Sequence, residues 1–253
     1  VDSMFKEKDH FIQTQLQLLR SFFSNNSRIC LICKVTPQAN HNLSLCKSCT
    51  AKIPWISKVL CLKCGRFEVC QDCDRRSNTY YEYSRSAVEY NDIMREWLAL
   101  YKYRGDERIE DLFIKMVDYA YQFLLTSTPL KNYPINCFTY IPLSEQRLQE
   151  RGFNQAERFA KGLSRLHQIP VVKLLQRVRH TEKQSVGSWS NRFSNIQGAF
   201  VINEKELKRI NKGRVMRIIV IDDVYTTGST LNECAKVITS YLPAKVYGVT
   251  WAR

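Results

Sequence analysis

What the sequence lacks narrows its class before any motif is considered. No stretch approaches the roughly 20 consecutive apolar residues of a membrane-spanning helix, and none has the form of a secretory signal peptide. We therefore expect a cytoplasmic protein, with at most a peripheral association with the inner face of the membrane. The chain has 253 residues, of which 44% are hydrophobic, so it is long and apolar enough to bury a core.

Histidine is also scarce, which argues against several kinds of active site. The four histidines show neither metal-ligand spacing nor the arrangement of a Ser-His-Asp or Cys-His catalytic site. His41, between two cysteine pairs, is expected to be a loop residue rather than a ligand. No helix-turn-helix or basic zipper pattern supports a transcriptional regulator.

Acidic residues are outnumbered, and the excess positive charge is unevenly placed. The chain holds 38 Lys and Arg against 24 Asp and Glu, a formal net charge of +14. Residues 147–179 contain eight basic and two acidic residues, and residues 205–217 contain six and one. Such clustering favours a polyanionic partner such as nucleic acid, a nucleotide or an anionic membrane, although a solvated basic surface is the simpler alternative.

Cysteine, by contrast, is abundant and regularly spaced. Eight of the ten cysteines form four CxxC pairs: Cys30/Cys33, Cys46/Cys49, Cys61/Cys64 and Cys70/Cys73. Cytoplasmic cysteines stay reduced, so paired CxxC motifs indicate metal binding rather than disulfides. Cys137 and Cys234 lie within apolar patterns and are expected to be buried.

Four CxxC pairs supply the ligands for two tetrahedral sites. Each pair aims two thiolates at one ion, and two pairs complete its coordination, so we predict two Zn²⁺ ions. The simplest grouping is sequential, 30/33/46/49 and 61/64/70/73, while an interleaved grouping stays open. An iron–sulfur cluster is the main competitor. Closed four-thiolate sites leave no open coordination position, so we expect a structural metal.

The periodicity of the apolar residues divides the chain into three parts. Residues 1–28 are predicted to form an amphipathic helical extension, and residues 29–76 the zinc module. Residues 77–253 are predicted to form an α/β domain with a parallel sheet, because strand and helix patterns alternate. The strands are expected at 83–90, 136–141, 217–221 and 246–251, and the helices at 92–101, 109–124, 153–166 and 231–242.

The most informative motif follows an apolar strand. Ile218–Ile221 leads to Asp222 and Asp223, at the end of a strand where parallel sheets bind ligands. A polar loop then opens a helix, and its amides and hydroxyls suit an anion. Its members are Thr226, Thr227, Gly228, Ser229 and Thr230. Acids suit sugar hydroxyls, so the string predicts a site for a 5-phosphorylated ribose. A plain helix N-cap beside two solvated acids is the alternative.

This string, DDVYTTGST, resembles the phosphoribosyl-pyrophosphate motif of type I phosphoribosyltransferases. The resemblance implies that fold, with Asp222 and Asp223 on the ribose hydroxyls and Thr226–Thr230 on the 5-phosphate. It also implies Mg²⁺ with the pyrophosphate. Tyr225 departs from the smaller residue common in such loops, and its side chain is expected to point away from the phosphate.

Further motifs narrow the resemblance to the ComF competence family. They are YIPL at 140–143, RGFNQ at 151–155, YKYRGD at 101–106, the cysteine module, the final Ala252-Arg253, and Arg147, Arg177, Thr181, Gln184, Arg192 and Asn195. The family match implies that Arg147, Arg151, Asn154 and Gln155 lie near pyrophosphate or DNA phosphate. Residues 142–155 would form the loop near pyrophosphate, since Gly152, Asn154 and Gln155 interrupt the helical face there. Residues 178–196 would form a mobile loop or lid.

Two functions follow from the resemblance. One is uptake of single-stranded DNA in natural transformation, beside a helicase-like ATPase of the ComFA type, with the phosphate site and zinc module binding ligand or DNA. The other is an active phosphoribosyltransferase that transfers ribose 5-phosphate to an acceptor that the sequence does not name. Such chemistry relies on positioning and charge, which suits a chain without a catalytic triad.

Overall fold

A four-stranded parallel sheet forms the centre of the protein. The computed structural model describes residues 29–35, 44–76, 78–104, 107–178, 196–210 and 214–253. The predicted N-terminal helix, His41 and nearly all of the predicted mobile loop lie outside these ranges. The strands are β1 (Ser84–Val88), β2 (Cys137–Tyr140), β3 (Leu175–Arg177), β4 (Phe200–Ile202), β5 (Met216–Val224) and β6 (Ala244–Ala252).

The sheet has the order β1-β6-β5-β2, and all of its neighbouring strands are parallel. Strands β3 and β4 form a separate antiparallel pair. The main strands are rich in buried aliphatic residues, as expected for strands covered on both faces. The predicted α/β fold with a parallel sheet is therefore confirmed.

Helices surround this sheet. In the described ranges they are α1 (Lys47–Ala51), α2 (Gln71–Asp74), α3 (Asp92–Arg104), α4 (Glu107–Thr126), α5 (Glu145–Arg151), α6 (Gln155–His167), α7 (Glu204–Leu207) and α8 (Ser229–Tyr241). A short 3-10 helix spans Pro129–Asn132.

Strand β5 shows how the two faces are divided. Ile219 and Ile221 pack in a core formed with α4 and α6, while Ile218 and Val220 pack in a second core with α8 and the β3–β4 pair. This alternation follows from the two-residue period of a strand. The chain leaving β2 thus passes over one face as α6, and the chain leaving β5 passes over the other as α8. A crevice opens at the carboxyl ends of β2 and β5, where Ile141 and Asp222 line the same small cavity.

The cysteine module covers the β1 edge of the sheet. The Ile56 amide donates to the Ala87 carbonyl at 2.9 Å, and the Ser84 amide donates to the Lys63 carbonyl at 2.8 Å. The Arg85 side chain is fully buried, and its Nη1 donates to the Leu62 carbonyl at 2.9 Å. Edge strands left bare invite association with other chains, so this cover protects the sheet.

Strands β3 and β4 and helix α7 were not expected from the sequence, and two further differences lie next to the predicted ligand site. Residues 142–155, expected as a loop, contain helix α5, which Gly152 ends in the left-handed conformation at φ 74°. Strand β5 continues through both aspartates to Val224, because Asp222 pairs with Thr250 and Val224 with Ala252. Cys137 and Cys234 are buried, as expected. The division at residue 76 stays a prediction, since the module shares both cores with the sheet.

Candidate ligand site and metal centres

Asp222 and Asp223 lie at the carboxyl end of β5, beside the crevice. Lys102, at the end of α3, pairs with Asp223 through an Nζ–Oδ2 distance of 2.6 Å. Burial, and then the negative charge of Asp223, raise the pKa of Asp222 well above its usual range. Burial alone would also raise the pKa of Asp223, but the charges of Lys102 and Arg151 outweigh it and lower that pKa. Neighbouring carboxyls thus have opposite tendencies to ionise.

The predicted phosphate loop forms the start of α8. Gly228 is the N-cap residue in the left-handed conformation, and no side chain in the described ranges makes the usual capping bond. Thr227 Oγ1 lies 3.0 Å from Ser229 Oγ. It accepts from the Ser229 amide at the long distance of 3.4 Å. The first turn of an α-helix carries amides without helical acceptors, so this terminus is suited to an anion. The alternative, a helix whose N-cap residue is Ser or Thr, is wrong, because the N-cap residue of α8 is Gly228.

Gly228 is required by both its backbone and its surroundings. Its φ is 76°, and a Cβ built there would lie 2.0 Å from the Tyr225 hydroxyl oxygen. Tyr225 is buried, with its side chain beneath the loop. The loop is therefore closely fitted to the residue below it. A small cavity beside the loop is lined by members of both the strand and the helix, including Asp222, Thr226 and Thr230.

Basic side chains approach the acid pair from three elements. Besides Lys102 from α3, Arg151 ends α5 and lies close enough to Asp223 to lower its pKa. Burial, and then the charge of Arg147, lower the pKa of Arg177, whereas Asp222 acts in the opposite direction. The structure thus gathers at one edge of the sheet charges that are up to 121 positions apart in sequence, from Lys102 to Asp223.

Asn154 and Gln155 start helix α6 and have different surroundings. Asn154 Oδ1 accepts from the Ala156 amide at 3.0 Å, and its Nδ2 donates to the Ile141 carbonyl at 3.0 Å. Both polar ends of Asn154 are therefore used within the fold. Gln155 is 1% exposed, and its Oε1 accepts from Arg151 at 3.3 Å. Its Nε2 has no acceptor among the described residues. A buried donor without an acceptor is unusual and is consistent with a ligand contact.

The eight module cysteines form two groups of four. Cys30, Cys33, Cys46 and Cys49 make one, and Cys61, Cys64, Cys70 and Cys73 make the other, with the sulfurs of each group within 4.8 Å of one another. Grouping is thus sequential. The Cys33–Cys46 and Cys64–Cys70 sulfur distances are 3.6 Å and 3.5 Å, far beyond a disulfide bond. Tetrahedral ligands about 2.3 Å from one ion lie about 3.8 Å apart, so each donor set fits a metal.

Two contributors were not identified from the sequence. Lys102 lies within YKYRGD, so a basic residue was expected there but not its pairing with Asp223. Arg76 donates through Nη2 to the Thr227 carbonyl of the phosphate loop. Local sequence patterns do not identify Arg76, because the residue that it contacts lies 151 positions further along the chain. Thr181, Gln184, Arg192 and Asn195 lie outside the described residues.

No helix in the described ranges has the length and apolar character to cross a bilayer.

No family model matches the chain. Among curated proteins, it is 35% identical to Competence protein ComFC of Bacillus subtilis over 205 residues, 77% of each chain. It is 29% identical to Competence protein ComFC of Streptococcus pneumoniae, over 79% of this chain and 83% of the relative. It is 37% identical to Competence protein F of Haemophilus influenzae over 99 residues, 39% of this chain and 42% of the relative. The chain therefore belongs to the ComF family of competence proteins.

Proposed function

We propose that this protein binds a 5-phosphorylated ribose, of the phosphoribosyl-pyrophosphate type, and serves the uptake of single-stranded DNA in natural transformation. The observation that carries the ligand proposal is the start of α8: an N-terminus without a side-chain cap, directly after an acid pair. The helix amides would hold the phosphate and the acids the ribose hydroxyls. Mg²⁺ would accompany a pyrophosphate group.

The biological role rests on the relatives. They are named as competence proteins, and the match to two of them extends over more than three quarters of the chain. From the family resemblance we propose that the protein works beside a helicase-like ATPase of the ComFA type, at the inner face of the membrane. The net charge of +14 favours contact with DNA and with an anionic surface.

Single-stranded DNA would meet the protein at Arg147, Arg151 and Arg177. Arg151 lies near Asp223, Arg177 lies near Asp222, and Arg147 lies near Arg177. Arginine side chains make charge-assisted hydrogen bonds to phosphate. A strand whose 5′-terminal nucleotide entered the site would place its following phosphates on these arginines.

The cysteine groups are proposed to bind Zn²⁺. This ion has no redox chemistry and takes four thiolates in closed tetrahedral sites. Bound zinc would cross-link the module, whose short helices α1 and α2 have few apolar residues of their own. The module's residues then keep the β1 edge covered.

An enzyme is the second candidate. The opposite pKa shifts of Asp222 and Asp223 supply one carboxyl inclined to hold a proton and one that stays ionised. Such a pair can bind a hydroxyl both as donor and as acceptor, and it can manage a proton during transfer of ribose 5-phosphate. The arginines would stabilise the departing pyrophosphate.

Calorimetry with phosphoribosyl pyrophosphate and Mg²⁺ tests the ligand proposal. The wild-type protein should bind, and Asp222→Asn/Asp223→Asn should lose at least about tenfold in affinity, since that corresponds to only about 1.4 kcal/mol. Asp111→Asn/Glu204→Gln makes the same charge change at exposed residues outside the site and should bind normally. Equal binding by all three proteins would reject the site.

Incubation with each nucleobase separates the two candidates. Release of pyrophosphate that depends on one base would favour the enzyme. Binding without release, together with binding of single-stranded DNA, would favour the uptake role.

A further inference from the structure

The chain leaving the second cysteine group (Cys61, Cys64, Cys70 and Cys73) passes directly against the phosphate loop. Arg76 follows Cys73 by three residues and is 7% exposed. Its Nη2 donates to the Thr227 carbonyl, and its Nη1 donates to the Tyr81 hydroxyl at 2.8 Å. One buried side chain from the module therefore holds the backbone of the loop.

A second connection runs through Tyr225. The hydroxyls of Tyr81 and Tyr225 lie 2.8 Å apart, and Tyr225 packs below Gly228. The Arg253 guanidinium lies 4.9 Å from the centre of the Tyr225 ring. Arg253 Nη1 donates to the Cys64 carbonyl at 2.5 Å and contacts the Cys64 sulfur at 3.5 Å. A predicted metal ligand is thus in contact with the layer on which the loop rests.

Helix α8 is attached to the same segment. The Tyr80 amide donates to Asn232 Oδ1 at 2.8 Å, and Asn232 Nδ2 donates to the Asn78 carbonyl at 3.1 Å. Residues 78–81 therefore fix the first turns of α8 as well as the loop before it.

The bond from Arg76 determines how the loop presents itself. A peptide unit is planar, and no cis peptide is found in the described ranges. In a trans peptide the carbonyl and the following N–H point in opposite directions. Holding the Thr227 carbonyl toward Arg76 therefore turns the Gly228 amide away from the module, to the side from which a ligand would approach.

The two cysteine groups differ in this respect. Cys64 and Cys70 belong to the hydrophobic core that contains Tyr81, Tyr225 and the inner side of α8. Cys30 and Cys49 belong to the other core, with α3 and α4. Loss of metal from the second group would therefore disturb the core on which the phosphate loop rests. Loss of metal from the first group would disturb the other core.

We propose that the second cysteine group and the phosphate loop are one coupled unit, in which Arg76 is a positioning residue. Metal in this group fixes the backbone next to Cys73, and Arg76 then holds the loop in its anion-binding form. Because coupling between two binding equilibria is reciprocal, bound phosphoribosyl ligand raises the affinity of this group for its metal, so that less of it is lost to a competing chelator. This inference rests on the proposed ligand site and assigns its regulation to one of the two metals.

The test uses the full zinc-loaded chain, with two readouts. The affinity for phosphoribosyl pyrophosphate with Mg²⁺ is measured by calorimetry, and zinc release to a chromophoric chelator is followed with and without that ligand. Arg76→Met is compared with Arg75→Met, a matched change at an exposed neighbour whose bond goes to Gln71. Arg76→Lys tests rescue by a retained charge.

In the wild type the ligand should reduce the amount of one of the two zinc ions that the chelator removes at equilibrium. Arg76→Met should bind about tenfold more weakly, within the usual range of coupling, and should lose that protection. Arg75→Met should behave as wild type, and Arg76→Lys should recover part of the effect. A simple loss of stability would increase zinc release without abolishing the effect of ligand on it. If Arg76→Met does not fold, Tyr225→Phe breaks the second connection and should weaken the protection.

Two results would overturn the inference. One is wild-type affinity in Arg76→Met; the other is ligand binding that protects neither zinc ion. Failure of the wild type to bind phosphoribosyl pyrophosphate at all would instead reject the ligand site, and the coupling with it.

Discussion

The surroundings of Asp222 disfavour the ionised form of its carboxyl group. Its pKa is raised, first by burial and then by the adjacent charge of Asp223, so its ionised form is less stable in the folded than in the unfolded chain. This penalty is absent in acid, where Asp222 is protonated in both states, and grows as the pH rises through the unfolded pKa. Residues kept for ligand binding often carry such a cost.

Asp222→Asn should therefore stabilise the protein at neutral pH while it removes ligand binding. A gain of about 1 kcal/mol would raise the thermal midpoint by about 2–4 °C in a chain of this size. Thermal unfolding followed by circular dichroism checks this at neutral and at acid pH. The gain should shrink in acid; a midpoint lowered at neutral pH would show that the Asp222 charge is well compensated.

Gly228 and Gly152 form a natural pair for comparison. Both have left-handed backbones, with φ of 76° and 74°, but only Gly228 has close neighbours where a Cβ would lie. Gly152→Ala should cost about 1 kcal/mol, for the backbone alone. Gly228→Ala should cost at least about 2–3 kcal/mol, because Tyr225 must also move. Chemical denaturation measures both, and equal losses would mean that Tyr225 yields easily.

At the scale of elements, the strands and helices of the α/β region were largely predictable from local pattern. The run Ile218–Ile221 and the spacing of apolar residues from Ile109 to Leu124 are both found in the expected elements. Helix α5 was not expected, because Gly152 and Asn154 suggested a loop; they end one helix and cap the next. The pairing of Lys102 with Asp223 depends on tertiary packing, which local sequence does not encode.

The cysteine groups make a prediction about metal content. Metal analysis should find two zinc ions per chain, because two complete donor sets are present. Cys33→Ser or Cys61→Ser should each leave one, since a three-thiolate site holds its ion far less firmly. Cys137→Ala, outside both groups, should retain two. Absorbance of an iron–sulfur cluster in the purified protein would contradict the assignment of zinc.

At the scale of the whole molecule, three basic side chains from distant parts of the chain lie near the acid pair: Lys102, Arg151 and Arg177. The net charge of +14 attracts DNA over a distance that becomes shorter as salt is raised. The arginines near the acid pair would instead bind DNA phosphates by direct contact. Charge and motif together predicted a polyanion site, but the sequence did not show that the cysteine module would share its cores with the sheet. That arrangement arises because β1 needs a cover and the module has little core of its own.

Binding of single-stranded DNA should accordingly weaken as salt is raised. Arg147→Ala/Arg151→Ala should lower the slope of log affinity against log salt by about 1.4, at about 0.7 per lost phosphate contact. Lys131→Ala/Lys245→Ala removes the same charge near the opposite edge of the sheet and is the control. Fluorescence anisotropy of a labelled oligonucleotide measures both. An equal change in the two variants would show that net charge alone attracts DNA.

The most direct test of the central claim is a crystal structure of the protein with phosphoribosyl pyrophosphate and Mg²⁺. The 5-phosphate should lie about 2.7–3.2 Å from amides at the start of α8, with the ribose hydroxyls on Asp222 and Asp223. Ligand density elsewhere, with the start of α8 and the acid pair left empty, would contradict the account.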